Sequence, residues 1–415
     1  MPDTLWGKDH FPQTRQTVYL DTAAEGIPPT AAGEALERYW EHKSMGSPGR
    51  KRLYETQSET TALAAGLLGA ATDDVALLGS ASDALNVLAN SIDWAPGDEV
   101  VIMDLEFPSN VLPWLHLGRK GVQVRLVRSR NGGVDLEDFL KAIGPRTRLV
   151  TVSQVSYKSG AQISFLAELA SAAHDAGAVF CVDVTQALGR VPVSIEGIDY
   201  LVASSYKWTL GCHGVGIVYL DPSLRQRMVP AAVGWYSVTN LFREDRFESF
   251  EPKAGAGCLL TGMPNFPGIY ALQAGLRHVA AAGPAEIDRR LHPLISRLRS
   301  GLEERGYNLL TPSATEAASG IVAFAHADAE RVGAELGERG VIIWAGDGRV
   351  RASVHLYNDT SDIEAYLDAL DAISPPVHTS LRALPSPSTS PAAAGRIALI
   401  KSHAVDDQER TRGRG

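Results

Sequence analysis

The sequence has few cysteines, no long apolar run and no excess of positive charge, and each absence excludes a class of protein. Only three of its 415 residues are cysteines, Cys181, Cys212 and Cys258, and no two of them form a C-x-x-C pair. A disulfide framework or a zinc knuckle is therefore not expected, and no metal site is predicted. No stretch of about 18 apolar residues occurs, which excludes a membrane-spanning helix. The net charge of −9 argues against a nucleic-acid-binding surface.

The composition is that of an ordinary globular protein. Hydrophobic residues make up 45% and charged residues 21% of the chain, which excludes wholesale disorder. Residues 1–5 have no basic region followed by an apolar stretch, so no secretory signal is predicted. Together with the few cysteines, this favours an enzyme of the reducing cytoplasm.

Seven short apolar runs alternate with helical stretches in the first half of the chain. They lie at residues 75–78, 100–103, 122–127, 149–152, 178–182, 200–203 and 215–220. Continuous apolar strands separated by helices are typical of a mostly parallel sheet that helices cover on both faces. The sequence therefore predicts an α/β protein with a large domain, built on a seven-stranded, mostly parallel sheet, and a smaller α+β domain.

The composition and pattern also predict the domain boundaries. Residues 21–275 are expected to form the large domain and residues 276–374 the small one, with helices near 285–303, 328–339 and 360–373 and strands near 320–324, 341–344 and 349–354. Residues 1–20 are predicted to pack with the small domain. Residues 375–415, rich in Pro and Ser, are predicted to be a flexible tail.

A lysine and an aspartate each follow a predicted buried strand. Lys207 lies in a turn of Ser and Gly, where either a surface lysine or a desolvated Schiff-base lysine is possible. Asp183 ends the preceding strand, at the edge where α/β sheets bind ligands. A carboxylate there can pair with the protonated pyridine nitrogen of pyridoxal phosphate, although a helix N-cap is the common alternative. The two residues together favour the cofactor site.

Small residues between the first predicted strand and the next helix indicate a phosphate site. The segment GSASD at 79–83 presents free backbone N–H groups and the positive end of a helix dipole. The chain lacks G-x-G-x-x-G and G-x-x-x-x-G-K-[ST] motifs, which disfavours NAD and P-loop nucleotides.

These motifs, in this order and spacing, resemble the class V aminotransferase-like branch of the fold-type I pyridoxal-phosphate enzymes. That branch includes cysteine desulfurases, C–S lyases, isopenicillin N epimerase and, more distantly, kynureninase. The resemblance extends from Tyr19 to about residue 372. Its motifs are EFPSN at 106–110, VSYKSG at 155–160, DVTQ at 183–186, SYKW at 205–208, GMPN at 262–265 and RAS at 351–353.

The resemblance implies a role for each residue of the cofactor site. Lys207 would bind pyridoxal 5′-phosphate covalently and move the Cα proton of the substrate. Asp183 would keep the pyridine nitrogen protonated, Gln186 would bind the ring hydroxyl, and Phe107 would stack on the ring. The phosphate would be held by the N–H of Ala81 and by Ser82 and Ser205.

The resemblance also implies a substrate site and a second subunit. Arg351 would bind the carboxylate of an amino-acid substrate, for which a bidentate guanidinium is well suited. Tyr157 is a further substrate-binding candidate. Thr261 and Met263 would contact the neighbouring subunit of a homodimer whose subunits share their active sites, and Met263 replaces the Thr or Ser that relatives carry.

Two departures from the family pattern bear on the reaction. Residues 341–349 contain no cysteine, where desulfurases carry the one that accepts sulfur, and Tyr206 precedes the lysine where desulfurases and epimerases carry His. Persulfide transfer is therefore not expected, and β-elimination of the C–S lyase type is predicted. Epimerisation, transamination and kynureninase-like Cβ–Cγ hydrolysis remain alternatives. A non-catalytic scaffold is disfavoured because Lys207, Asp183, Gln186 and Arg351 are all retained.

Overall fold

The computed structural model describes residues 7–313 and 319–373 and contains twelve strands and eleven α-helices in this part of the chain. The strands are β1 (Val18–Tyr19), β2 (Val75–Leu78), β3 (Glu99–Met103), β4 (Gln123–Val127), β5 (Thr147–Ser153), β6 (Val179–Asp183), β7 (Tyr200–Ser204), β8 (Gly216–Leu220), β9 (Ile321–Ala325), β10 (Val341–Ile342), β11 (Trp344–Gly346) and β12 (Arg349–Ser353). The helices are α1 (Thr30–Ser44), α2 (Arg50–Leu68), α3 (Ala81–Ser91), α4 (Leu112–His116), α5 (Leu136–Ala142), α6 (Leu166–Asp175), α7 (Pro222–Arg227), α8 (Phe266–Ala282), α9 (Pro284–Glu304), α10 (Ala329–Glu338) and α11 (Thr360–Ile373).

Strands β2 to β8 form one seven-stranded sheet in the order β2-β8-β7-β6-β5-β3-β4. Strand β8 runs antiparallel to both of its neighbours, and every other adjacent pair is parallel. All seven apolar runs of the sequence are strands of this sheet. The predicted fold class is confirmed.

Successive side chains along the inner strands of the large sheet lie in cores on its two opposite faces. Val150 of β5 and Leu201 of β7 belong to the core on the face that α2 and α6 cover. Their neighbours Leu149 and Val202 belong to the core on the opposite face, which α3 covers. Because successive side chains of a strand point to opposite faces, a continuous apolar run is what a sheet covered on both sides requires.

A smaller antiparallel sheet, in the order β11-β12-β9, lies later in the chain with α9, α10 and α11 packed around it. Strand β1 pairs in parallel with β10, so the N-terminal segment contacts this later part of the chain. The exact domain boundaries remain predictions, and the predicted tail at 375–415 lies outside the described residues. None of the described helices has the length and apolar character that crossing a membrane requires.

Candidate active site

The carboxyl ends of β5, β6 and β7 and the N-terminus of α3 meet around one cavity. Six residues predicted from the sequence line it: Ser82, Phe107, Tyr157, Asp183, Gln186 and Lys207. Five further residues line it as well: Ser109, Ser153, Thr185, Ser204 and Tyr206. The cavity therefore lies where parallel α/β sheets bind their ligands.

Lys207 is buried in the turn that follows β7. Burial lowers the pKa of its amine to about 8, against the opposing attraction of Asp183. The amine lies 5.2 Å from the ring centroid of Phe107 and 5.6 Å from that of Tyr206. A partly desolvated amine with a lowered pKa is the form of lysine that attacks a carbonyl group.

Close approach of another segment holds the lysine turn in place. The N–H of Gly26 donates to the carbonyl oxygen of Tyr206 at 2.8 Å. A Cβ atom at position 26 would lie 1.9 Å from the carbonyl oxygen of Lys207, so only glycine fits.

Asp183, the last residue of β6, is a buried carboxylate beside this amine. Its Oδ1 accepts a hydrogen bond from the N–H of Thr185 at 2.8 Å. Burial raises the pKa of Asp183, and the positive charge of Lys207 opposes that rise. A buried carboxylate in this place can stabilise a cation that enters the cavity.

Gln186 is fixed by two hydrogen bonds outside the cavity. Its Nε2 donates to the carbonyl oxygen of Ala23 at 2.9 Å, and its Oε1 accepts from Nε1 of Trp208 at 2.6 Å. Phe107 meets the ring of Tyr157 edge to face, with the centroids 5.1 Å apart. The amide and the two rings therefore have defined orientations before a ligand binds.

The N-terminus of α3 offers a cradle for a phosphate. The Ser80 hydroxyl caps the helix by accepting from the N–H of Asp83 at 3.0 Å, and the helix then begins at Ala81 and Ser82. Strand β8 packs directly against this turn. A Cβ atom at Gly216 would lie 2.4 Å from the carbonyl carbon of Ser80 and 2.7 Å from the nitrogen of Ala81.

Ser205 is buried with its side chain turned away from the cavity. Its hydroxyl donates to the carbonyl oxygen of Cys212, and Ser204 lines the cavity instead. Adjacent residues at the end of a strand point to opposite faces. The sequence alone does not show which of the two neighbouring serines points into the cavity.

Thr261 and Met263 lie at a separate cavity. They line it together with Gly79 and Asp83, which belong to the turn before α3 and to α3 itself. Met263 is 48% exposed. The contact of these two residues with a second subunit remains a prediction.

Arg351 on β12 is buried and reaches the cavity through Tyr157. Its Nη1 donates to the carbonyl oxygen of Tyr157 at 2.9 Å, and its Nη2 lies 3.4 Å from Oδ1 of Asp21. Burial lowers the pKa of Arg351 and raises the pKa of Asp21 to about 6. Asp21 was not predicted as a site residue, although an acid directly after the run Val18 to Leu20 was a usable signal.

Glu106 is a further buried carboxyl group that was not predicted as a site residue. Its Oε1 accepts from the N–H of Ser153, and its Oε2 accepts from the Ser153 hydroxyl, each at 2.6 Å. Oε2 also accepts from Nδ2 of Asn110 at 2.8 Å. Burial raises the pKa of Glu106 to about 8. Because Ser153 lines the cavity, this network supports its wall.

The donor set fits pyridoxal phosphate. A helix N-terminus faces the cavity from one side, a buried carboxylate and a buried amine lie at its floor, and an aromatic ring stands beside the amine. These groups match the phosphate, the pyridine nitrogen, the aldehyde and the ring face of that cofactor. Among the described residues, no group of three or more His, Cys, Asp or Glu side chains is arranged to hold a metal ion.

Comparison with solved structures places the fold in a known class. The chain superimposes on the cysteine desulfurase of Thermococcus onnurineus NA1 with a TM-score of 0.81 and 24% identity, covering 90% of this chain and 98% of that one. Cysteine desulfurase CsdA of Escherichia coli gives a TM-score of 0.78 at 25% identity, covering 88% and 96%. The fold is that of the fold-type I pyridoxal-phosphate enzymes.

The sequence comparisons identify the family. The model of the family described as "Aminotransferase class-V" matches residues 18–366. A probable cysteine desulfurase of Pseudomonas putida is 31% identical over 386 residues, which cover 86% of this chain and 94% of the relative. A probable cysteine desulfurase of Methanothermobacter thermautotrophicus is 29% identical over 392 residues, covering 88% and 96%.

The chain belongs to the class V aminotransferase family. It is an enzyme, and its cofactor is pyridoxal 5′-phosphate. The resemblance that the motifs indicated is confirmed.

Proposed function

We propose that the chain is a lyase that removes a sulfur-linked β-substituent from an L-amino acid, without a cysteine that carries sulfur as a persulfide. The placement of its three cysteines is the observation that carries this proposal. The most similar relatives include proteins named cysteine desulfurases, which supports a sulfur-containing amino acid as substrate.

None of the three cysteines is suited to accept sulfur. Cys181 lies inside β6 and Cys258 is also buried. Cys212 is half-buried and packs against the cluster that contains Phe266 and Tyr270. Burial raises the pKa of all three thiols, so that they stay protonated at neutral pH, whereas the thiolate is the nucleophile.

Each residue of the candidate site has a separate role in the proposed β-elimination. When bound, pyridoxal phosphate supplies the electron sink that allows the Cα–H bond of an amino acid to ionise. Lys207 would take the Cα proton as general base, and Asp183 would hold the pyridine end of the cofactor by opposing its positive charge. Arg351 holds the substrate carboxylate, and Phe107 orients the ring. The β-substituent leaves with its electron pair, and the aminoacrylate released is hydrolysed to pyruvate and ammonia.

Product analysis of the holoenzyme tests the reaction. L-Cysteine, L-cystine and S-methyl-L-cysteine are offered in turn, and we expect pyruvate and ammonia in equal amounts from at least one of them. Cys212→Ala is expected to keep turnover within about twofold, because this thiol stays protonated. Alanine with enzyme-bound sulfur would contradict the proposal. Recovery of an inverted amino acid, or of an oxo acid retaining the β-substituent, would instead identify the epimerase or aminotransferase alternative. Alanine released from L-kynurenine, which has a Cβ–Cγ bond and is offered separately, would identify the hydrolase alternative.

Covalent attachment tests the lysine directly. Borohydride reduction of the holoenzyme followed by peptide mass spectrometry is expected to locate the cofactor on Lys207. In Lys207→Ala this adduct should be absent, while fluorescence titration still detects non-covalent binding through the other contacts. A reduced adduct on another lysine in the unmodified chain would refute the assignment.

The proposal extends to the assembly and the compartment. A homodimer with a shared active site follows from the family resemblance, and several large apolar side chains in residues 229–250 are exposed, as expected of an interface. Three free cysteines without a disulfide are consistent with the cytoplasm.

A further inference from the structure

A second arginine lies beside the proposed carboxylate-binding residue. Arg349 and Arg351 are two residues apart on β12, so their side chains share one face of the strand. Arg349 is 2% exposed and Arg351 is 3% exposed. Their guanidinium carbons lie 4.3 Å and 5.3 Å from the ring of Trp344, the cross-strand partner of Arg351.

The positive charge of this arginine pair, Arg349 and Arg351, is incompletely balanced. Arg351 faces Asp21. In the part of the chain that the structure describes, the only acidic partner of Arg349 is Asp347 at 3.5 Å, and the side chain of Asp347 is 74% exposed. Within residues 7–313 and 319–373, Nε and Nη2 of Arg349 and Nε of Arg351 have no hydrogen-bond partner. Burying charged donors without acceptors is costly, so the arrangement suits an anion that binds there.

Tyr157 connects the arginine pair to the cofactor cavity. The guanidinium of Arg349 lies 5.4 Å from the Tyr157 ring, and Arg351 donates to the Tyr157 carbonyl oxygen. The same ring contacts Phe107 and lines the cavity that holds Lys207. Residues two apart on a strand are separated by about 7 Å, so an acidic group on a substrate side chain can reach one guanidinium while the α-carboxylate meets the other.

We propose that the substrate carries a second anionic group on its side chain, a carboxylate or a sulfur oxyacid, and that Arg349 binds this group. The inference rests on the proposed function only in that Arg351 receives the α-carboxylate of an amino acid. A purely structural role for Arg349, stacked between the rings of Trp344 and Tyr157, would not require a charge, because an apolar side chain could fill the same space. The unused donors of Arg349 are what point to a ligand.

Binding of two matched probe pairs to the holoenzyme tests the proposal. L-Isovaline and α-methyl-L-aspartate differ only in a terminal methyl or carboxylate, and α-methyl-L-norvaline and α-methyl-L-glutamate form the same pair one carbon longer. None of the four has a Cα hydrogen, so none can undergo elimination through loss of that proton. Affinities are measured by calorimetry and by the change in the visible absorbance of the cofactor. We expect the dicarboxylate of at least one pair to bind at least tenfold more tightly than its partner.

Substitutions then assign the preference to one residue. Arg349→Met keeps an unbranched side chain that can contact the two rings but removes the charge, and it is expected to reduce the preference to less than threefold, with little change for the monocarboxylate. Arg351→Met is expected to weaken both probes of a pair. Arg349→Lys keeps the charge but not the planar fork, and we expect an intermediate preference.

Three results would overturn the proposal. They are a preference below threefold in both pairs, a preference that Arg349→Met leaves intact, or an equal weakening of both probes by Arg349→Met, which would mean that both arginines hold one carboxylate. If Arg349→Met does not fold, the proposal is decided by two other measurements. These are the preference of the unmodified holoenzyme for the dicarboxylate probe and the reduction of that preference in Arg349→Lys. Because the probes report binding without turnover, failure here is distinct from a product analysis that excludes β-elimination.

Discussion

At the scale of single residues, the site depends on ionisable groups that burial holds away from their usual state. Lys207 and Asp183 face each other beside a cavity, and desolvation favours the neutral form of each while their mutual attraction favours the charged forms. The lowered pKa of Lys207 makes its neutral amine available near neutral pH, and the charge of Lys207 opposes the rise in the pKa of Asp183, the proposed partner of a cationic ring nitrogen. The chemistry of the site is thus prepared by the polypeptide before the cofactor arrives.

The pH dependence of cofactor capture should report the lowered pKa of Lys207. The neutral amine is the attacking form, and with a pKa of about 8 its fraction rises about tenfold from pH 6 to 7 and levels off above about pH 8. We expect the rate of covalent attachment to the apoenzyme, followed by stopped-flow absorbance, to show this profile. Butylamine, measured in parallel, corrects for titration of the cofactor itself. A rate that keeps rising to pH 10, as for an ordinary lysine, would contradict the prediction.

Glu106 should make the stability of the apoenzyme depend on pH. Its pKa is about 8 in the folded chain against 4.5 for a solvent-exposed glutamate, so the folded state binds more protons between these values. This carboxyl therefore lowers the free energy of unfolding as pH rises through that window. Urea denaturation at pH 5, 6.5 and 8 is expected to show the decline in the unmodified chain and a weaker decline in Glu106→Gln.

Glu106→Gln also removes one acceptor. The amide nitrogen that replaces Oε2 cannot accept from Nδ2 of Asn110, so we expect a loss of about 1–3 kcal/mol at pH 5. Glu168→Gln, on the exposed face of α6, is the matched control and should change little. Parallel pH curves for the unmodified chain and Glu106→Gln would show that Glu106 is not the group responsible.

At the scale of elements, the phosphate cradle depends on the contact between β8 and the first turn of α3. Gly216→Ala would place a methyl group 2.4 Å from the Ser80 carbonyl carbon, so the turn must shift. Because the proposed phosphate contacts lie in this turn, we expect cofactor affinity to fall at least about tenfold, a loss of about 1.4 kcal/mol. Fluorescence titration of the apoenzyme measures the affinity.

Gly33→Ala provides the control for Gly216→Ala. Gly33 lies within α1, and a Cβ atom there would meet nothing within 4 Å. This substitution is expected to leave cofactor affinity unchanged. If Gly216→Ala bound the cofactor as tightly as Gly33→Ala, the proposed role of this turn would be wrong.

The strands were predictable from the sequence because burial on both faces produces continuous apolar runs. The run at 200–203 became β7 (Tyr200–Ser204), and the run at 75–78 became β2 with the same bounds. The reversed direction of β8 was not predictable, since direction depends on how the chain returns to the sheet and not on the composition of the strand. The pairing of β1 with β10 was not predictable either, because it also depends on the path of the chain and not on the local sequence of either strand.

The candidate site was predictable where a residue type is unusual for its position. Lys207 and Asp183 stand out because buried strands rarely end in charged residues, whereas Ser204 and Ser205 are chemically identical and only the geometry of the strand end separates them. Asp21 and Arg349 act through residues distant in the sequence. Their significance emerges only when β12 is placed beside Tyr157 and the N-terminal segment.

At the scale of the whole molecule, exposed aromatic side chains support the proposed homodimer. Phe242 is 89% exposed and Phe247 is 85% exposed, and the burial of such side chains stabilises an interface. Sedimentation equilibrium is expected to give twice the chain mass. Phe242→Asp combined with Phe247→Asp should shift the population toward monomers by at least about tenfold in dissociation constant, since two charges would be desolvated at an interface.

Leu140→Asp, on α5, is the control for this pair of substitutions. Leu140 is also exposed, at 48%, but lies on a different element. It is expected to leave the association unchanged. A monomeric unmodified chain, or a double variant that associates as tightly as the unmodified chain, would contradict the proposed interface.

Residues 18–23 contact both β12, which carries Arg351, and Gln186 of the cofactor cavity. Asp21 lies beside Arg351, the N–H of Ala23 donates to the Ser353 hydroxyl at 3.0 Å, and the carbonyl oxygen of Ala23 accepts from Gln186. During synthesis, this segment leaves the ribosome before β12 and must wait for more than three hundred further residues before β12 can contact it. Contacts so distant in sequence form late and slowly. The nascent chain can therefore complete its large sheet while the two arginines proposed to bind the substrate are still missing, and their proposed role becomes possible only after translation has passed β12.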